Sequence, residues 1–201
     1  SYDFIEHYEI IFMAVFVILV ILLVLYIVHE NYRRDQELMK YAQTDALTGL
    51  YNKETTKLRT DEILSTDKDM IHAFLILDMD CFKQINDGYG HAVGDIVLQK
   101  FGQLLRDIFR EDDIVGRIGG DEFVVVMKNV KMKEMAIAKA EELLTKTQQY
   151  EIKELNGSAI SISIGIAMAP EDGDCYMDLY KRADQALYQA KRSGKARVCG
   201  Y

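Results

Sequence analysis

The sequence is poor in basic residues, in cysteine pairs and in proline. Lys and Arg number 24 against 32 Asp and Glu, a net charge of −8. That balance argues against a general nucleic-acid-binding protein. The three cysteines, Cys81, Cys175 and Cys199, are odd in number and widely spaced. They form neither a disulfide framework nor a metal-ligand pattern, and they fit a reduced cytosolic domain. The single proline, Pro170, closes a strand. No repeat or low-complexity segment is present. Near the N-terminal end it is charge that is missing. From Ile10 to Val28 the chain reads IIFMAVFVILVILLVLYIV. As a helix this run spans about 28 Å, close to the hydrocarbon thickness of a bilayer. The preceding SYDFIEHYE is acidic and no small-residue cleavage pattern follows, so a signal peptide fits poorly. The run is read as a transmembrane helix over 10–28. Arg33, Arg34 and Lys40 follow it and no Lys or Arg precedes it. The downstream part is therefore expected in the cytoplasm, with residues 1–9 outside. Without an initiator Met, the chain reads as the C-terminal part of a longer protein.

Residues 29–43 are polar, free of Gly and Pro, and rich in helix formers. Leu25, Val28, Tyr32, Asp35, Met39 and Ala42 follow steps of three and four. Such a seam suits a solvated linker helix or a short parallel coiled coil between two chains. Beyond it, the run Ala73–Asp80 is apolar and meets acid at its end, as a buried strand would. His91–Arg110 has helical apolar spacing. Asp113–Ile118 and Phe123–Met127 flank Gly-Gly-Asp-Glu and predict a hairpin. Lys133–Tyr150 predicts a helix, Ser158–Ala169 a strand, Tyr176–Ala190 a helix and Ala196–Val198 a last strand. This order implies an α/β sandwich with a mixed, largely antiparallel sheet.

The chemistry gathers at acidic residues. Asp78 and Asp80 share a strand face, or one of them turns away where the strand stops. If the hairpin pairs beside this strand, Asp78 approaches Asp121 and Glu122. Carboxylates so placed repel one another unless a cation sits among them. Hard oxygen ligands suit Mg²⁺ or Mn²⁺, whose remaining ligands are often water and phosphate. Gly119 and Gly120 permit a tight turn and close approach of a ligand. Lys83 is placed to meet phosphate, and Asn86 and Asp95 offer an amide and a carboxylate to a base. Taken singly, each of these residues is as well explained as a cap or turn residue.

Five stretches in order resemble the GGDEF domains of diguanylate cyclases. They are DALTGLYNK (45–53), LDMDCFKQINDGYGHAVGD (77–95), GRIGGDEF (116–123), SISIGIA (161–167) and ADQALYQAKRSGKARV (183–198). The resemblance covers about 44–198. It implies a fold like the catalytic palm of nucleotide cyclases and polymerases, with a catalytic domain over 44–201. It also implies a reaction in which two GTP become cyclic di-3′,5′-guanylate and two pyrophosphates across a homodimer. Two divalent ions per site would fall on Asp78, the Met79 carbonyl and Asp121, supported by Glu122. Asp121 matches a position that helps deprotonate the 3′-hydroxyl. Asn86 and Asp95 match guanine readers, His91 lies in the same loop, and Lys83 and Lys195 match phosphate contacts. Arg110 and Asp113, spaced RxxD, match a product-inhibition site; their alternative is an i, i+3 surface ion pair. Cys81 stands where an aromatic residue is usual. A rival reading is a non-catalytic receptor for the dinucleotide or for GTP.

Overall fold

Helix α1 (Tyr2–Gln43) carries the segment Val15–Arg34, of mean hydropathy 2.2, long and apolar enough to cross a membrane. From Val15 to Val28 it carries no charged residue, and none of the segment is buried within the chain. The structure, a computed structural model, describes residues 2–201, with the side chains of 2–11, 14 and 35–42 outside that description. Of the heptad seam, Leu25, Val28 and Tyr32 are exposed. Asp35, Met39 and Ala42 fall among the side chains outside the description. Two units are distinct: the chain up to Ala42, and Gln43–Tyr201.

The second unit is built on a five-stranded sheet of order β2-β3-β1-β4-β5. Its strands are β1 (His72–Met79), β2 (Ile114–Arg117), β3 (Glu122–Met127), β4 (Ile162–Ala169) and β5 (Val198–Gly200). All pairings are antiparallel except β4 with β5. Central β1 is buried along its whole length, so both faces of the sheet must be covered. Alternation then divides the core. Leu75, Leu77, Phe123 and Val125 join a cluster with residues of α4 (His91–Ile108) and α5 (Lys133–Gln149). Phe74, Ile76, Val124 and Val126 join a second cluster with Leu64 of α2 (Lys53–Thr66) and Leu179, Ala183 and Leu187 of α6 (Tyr176–Arg192). Helix α6 lies tightly on β4, where a Cβ at Gly165 would collide with the Ala183 carbonyl.

The strand–helix–hairpin order is as expected, with boundary shifts. Strand β4 starts at Ile162 rather than Ser158, because its partner β1 ends at Met79, which pairs with Ile162. Helices α2 and α3 (Phe82–Tyr89) were not expected. Helix α2 buries Thr55, Thr56 and Thr60, whose polar side chains hide the apolar period. Helix α3 buries none of its residues.

Candidate active site

Strand β1 stops where it turns acidic. The antiparallel register sets Asp78 opposite Glu122, the first residue of β3. The Met79 amide donates to the Asp121 carbonyl at 3.2 Å, tying the hairpin tip to the strand end. Lys191, in the last turn of α6, places Nζ 2.7 Å from Asp78 Oδ2. Burial pushes the Asp78 carboxyl above its ordinary range, and the charges of Asp121 and Asp80 add to this against the pull of Lys191. Burial likewise raises Glu122, reinforced by Asp78 and Asp121. The three carboxylates therefore form one electrostatic group that one ammonium does not neutralise. Carboxylate oxygens are donors of the kind that suits a hard divalent ion, though among the described residues the ligand atoms of these three do not all lie within 4.8 Å of one another. A cavity of about 500 Å³ lies beside Glu122, walled by Asp184, Tyr188, Lys191 and Arg192 of α6.

Asp80 turns away from this group. Its Oδ1 accepts from Ser163 Oγ at 2.7 Å, and its Oδ2 accepts from Ser161 Oγ at 2.6 Å and the Ala196 amide at 3.1 Å. Buried Asp80 thus fixes the loop in which Lys195 and Ala196 adopt left-handed backbone, φ 60° and 48°. Lys195 Nζ meets Cys81 Sγ at 3.3 Å. That contact, then the charges of Asp80 and Asp78, raise the Lys195 ammonium pKa. Cys81 is itself left-handed, φ 60°, at the entrance of α3.

The glycines act otherwise than as a left-handed turn, since neither Gly119 nor Gly120 has a positive φ. A Cβ at Gly119 would stand 2.9 Å from Glu122 Oε2, whereas one at Gly120 would meet nothing within 4 Å. Gly119 makes room for the carboxylate, and Gly120 leaves the approach open. Lys83, His91 and Asp95 are exposed on α3 and α4, and Asn86 is half-buried. A Cβ at Gly94 would collide with Asn86 Oδ1, so that glycine lets the amide lie against α4. Among the described residues no hydrogen bond or ion pair joins these four side chains to the carboxylates. Arg110 and Asp113 do not form the i, i+3 ion pair; Asp113 is buried and accepts the backbone amides of Arg110 and Lys128, each at 3.0 Å.

A family model described as "Diguanylate cyclase, GGDEF domain" matches residues 42–197. The chain belongs to the GGDEF-domain family. Two curated relatives are the biofilm architecture maintenance protein MbaA of Vibrio cholerae and the diguanylate cyclase DgcS of Shewanella oneidensis. Identity to MbaA is 35% over 86% of this chain and 23% of the relative. For DgcS it is 36% over 82% and 55%. The chain thus spans about a quarter to about half the length of these relatives. The coiled coil and GGDEF domain of DgcB from Caulobacter crescentus, solved in complex with c-di-GMP, superposes with TM-score 0.79. It shares 25% identity, over 87% of this chain and 93% of that one. The GGDEF domain of TpbB (YfiN) from Pseudomonas aeruginosa gives TM-score 0.73 at 35% identity, over 78% and 93%.

In this GGDEF domain, sequence reasoning did not name Lys191 or Arg117, and it did not separate Asp80 from Asp78. Lys191 lies within the stretch ADQALYQAKRSGKARV, in the last turn of α6 and four residues before Lys195. Asp80 shares a motif with Asp78 but serves the loop. Arg117 precedes the signature, and its guanidinium donates to Asp45 Oδ1 at 3.0 Å and to the Gly120 carbonyl at 2.8 and 3.1 Å. Asp45 in turn accepts from the Thr48 amide and hydroxyl. Burial raises its carboxyl, but the bonds from Thr48 and Arg117 outweigh this and hold it below the ordinary range.

Proposed function

We propose that this chain is the membrane-anchored catalytic part of a diguanylate cyclase, converting two GTP into cyclic di-3′,5′-guanylate and two pyrophosphates. The observation that carries the reading is the register-fixed group of Asp78, Asp121 and Glu122, with one ammonium among them. Asp78, the Met79 carbonyl, Asp121 and Glu122 would hold Mg²⁺ or Mn²⁺, two per site, which supplies charge neutralisation of the triphosphate. Lys191, Lys195 and Lys83 orient the phosphates. Asn86, His91 and Asp95 hold the guanine and its loop. Gly120 leaves space for the ribose phosphate to approach. The 3′-hydroxyl of one GTP gives its proton to Asp121 and forms a bond to the α-phosphorus of the other GTP. The bond from that phosphorus to the pyrophosphate oxygen breaks. A second, symmetric step closes the ring.

One domain presents one such site, so turnover needs two domains face to face. The long α1 supports that role. It would hold two copies at high local concentration in the cytoplasmic membrane, catalytic domains on the cytoplasmic side. Arg110 and Asp113 would bind the product and slow the enzyme. The test incubates the purified chain in detergent micelles with GTP and Mg²⁺, resolving products by mass. A cyclic dinucleotide with released pyrophosphate, lost in Asp121→Ala, supports the reading. GTP retained unchanged at high protein concentration refutes it and favours a receptor.

A further inference from the structure

A second cavity, of about 350 Å³, opens between the turn at Gly49–Tyr51 and the end of α4. Its walls include Tyr51, Arg106, Arg110, Glu111 and Asp113. Arg106 sits in the last turn of α4, four residues before Arg110. Both side chains are exposed, and among the described residues neither guanidinium forms an ion pair, although Glu111 lines the same cavity. Among the described residues the Arg106 side chain forms a single hydrogen bond, a 3.5 Å contact with Gln103 Oε1. Asp113, by contrast, is pinned by two backbone amides at the buried edge of the cavity. Two unpaired guanidiniums facing one space repel each other, and an anion between them reverses that cost. Gly49 is built into the arrangement: its backbone is left-handed, φ +69°, and a Cβ there would press on Arg106 Nη1 at 3.3 Å.

A guanine dinucleotide offers two kinds of group to such a wall, a base edge and a phosphodiester. One guanidinium fork can satisfy one of them at a time. We propose that Arg106 is a third ligand of this effector pocket, gripping a phosphodiester while Arg110 and Asp113 hold a guanine. The inference rests on the product-binding reading of Arg110 and Asp113. It adds a charge contact that the RxxD spacing alone does not contain.

The test is isothermal titration of cyclic di-GMP into the full chain in detergent micelles, with the active site filled by a non-reacting GTP analogue. Arg106→Ala is expected to raise Kd about ten-fold, the loss of one charge-assisted hydrogen bond. Its Kd should depend less steeply on salt than that of the wild type, because one screened charge contact is gone. Arg106→Lys, which keeps the charge without the fork, is expected to recover part of the affinity and the wild-type salt dependence. Arg106→Ala and Arg106→Lys binding like the wild type, while Arg110→Ala abolishes binding, overturns the role of Arg106 and leaves the pocket standing. Arg110→Ala binding like the wild type overturns the pocket itself.

Discussion

Arg117 stands 72 residues from Asp45 in sequence and 3.0 Å from it in space, and the same guanidinium bonds the Gly120 carbonyl. The link is partly buried, with side-chain exposures of 14% and 24%. It joins the turn that follows α1 to the turn that carries the carboxylates. Arg117→Gln is expected to cost roughly 2 kcal/mol, since charged hydrogen bonds are lost from a site with little water. Turnover should fall at least about ten-fold, because the Gly120 carbonyl loses both donors. Arg117→Lys should lie between, as one ammonium cannot fork to both acceptors. Urea denaturation and initial rates on the three proteins decide it; wild-type rates in Arg117→Gln would remove the link from function.

The carboxylate group predicts an unusual coupling of pH and metal. Asp78 and Glu122 have raised carboxyl pKa values in the folded chain, from burial first and then from neighbouring carboxylates, Asp121 and Asp80 for Asp78 and Asp78 and Asp121 for Glu122. Folded protein therefore binds these protons more tightly than unfolded protein does. The stability they contribute is present below the ordinary carboxylate range and is lost as pH rises through the raised values. At pH 7.5 the ionised group works against folding, and a divalent ion offsets that. The rise in Tm on adding Mg²⁺ should be larger at pH 7.5 than at pH 5. Glu122→Gln should raise Tm in EDTA while shrinking the Mg²⁺ effect and the turnover. Equal Mg²⁺ shifts at both pH values would count against a metal on these carboxylates.

How much of this was legible in the sequence depended on where the signal lay. The run Ala73–Asp80 and the β-branched flanks of Gly-Gly-Asp-Glu announced β1 and the hairpin, and their pairing brought Asp78 to Glu122. Helix α2 was not legible because its buried face is threonine; Thr56 and Thr60 hide their hydroxyls on the Asn52 and Thr56 carbonyls. Lys191 was not legible as a partner of Asp78, since only the packing of α6 across β1 and β4 brings them to 2.7 Å. Asp78 and Asp80 were indistinguishable by spacing. The strand ends between them, and that assigns one to the open site and the other to the loop.

Gly94 tests whether Asn86 reads the substrate. An added methyl at Gly94 would collide with Asn86 Oδ1 and crowd Phe82. Asn86 is the movable partner, so Gly94→Ala should displace its amide rather than unfold the domain, at about 1–3 kcal/mol of overpacking. KM for GTP is expected to rise several-fold with a smaller change in kcat, the signature of lost ground-state binding. A fall in kcat at unchanged KM would mean that Asn86 does not hold the guanine.

Asp80 offers a separation of loop order from charge. Its Oδ2 accepts from both Ser161 Oγ and the Ala196 amide. In Asp80→Asn one oxygen becomes an NH₂ group. The serine hydroxyls can rotate to accept from it, but the Ala196 N–H cannot. If the NH₂ faces Ala196, two donors meet; if it faces Ser163, the serine turns and the Ala196 bond survives without its charge. Either way the loop holding Lys195 is weakened, by about 1–2 kcal/mol. Lys195 then loses its fixed left-handed placement. Turnover of Asp80→Asn should fall with a raised KM for GTP, and rising Mg²⁺ should not restore it, since Asp80 faces the loop and not the carboxylate group. Full rescue by Mg²⁺ would instead make Asp80 part of the metal site.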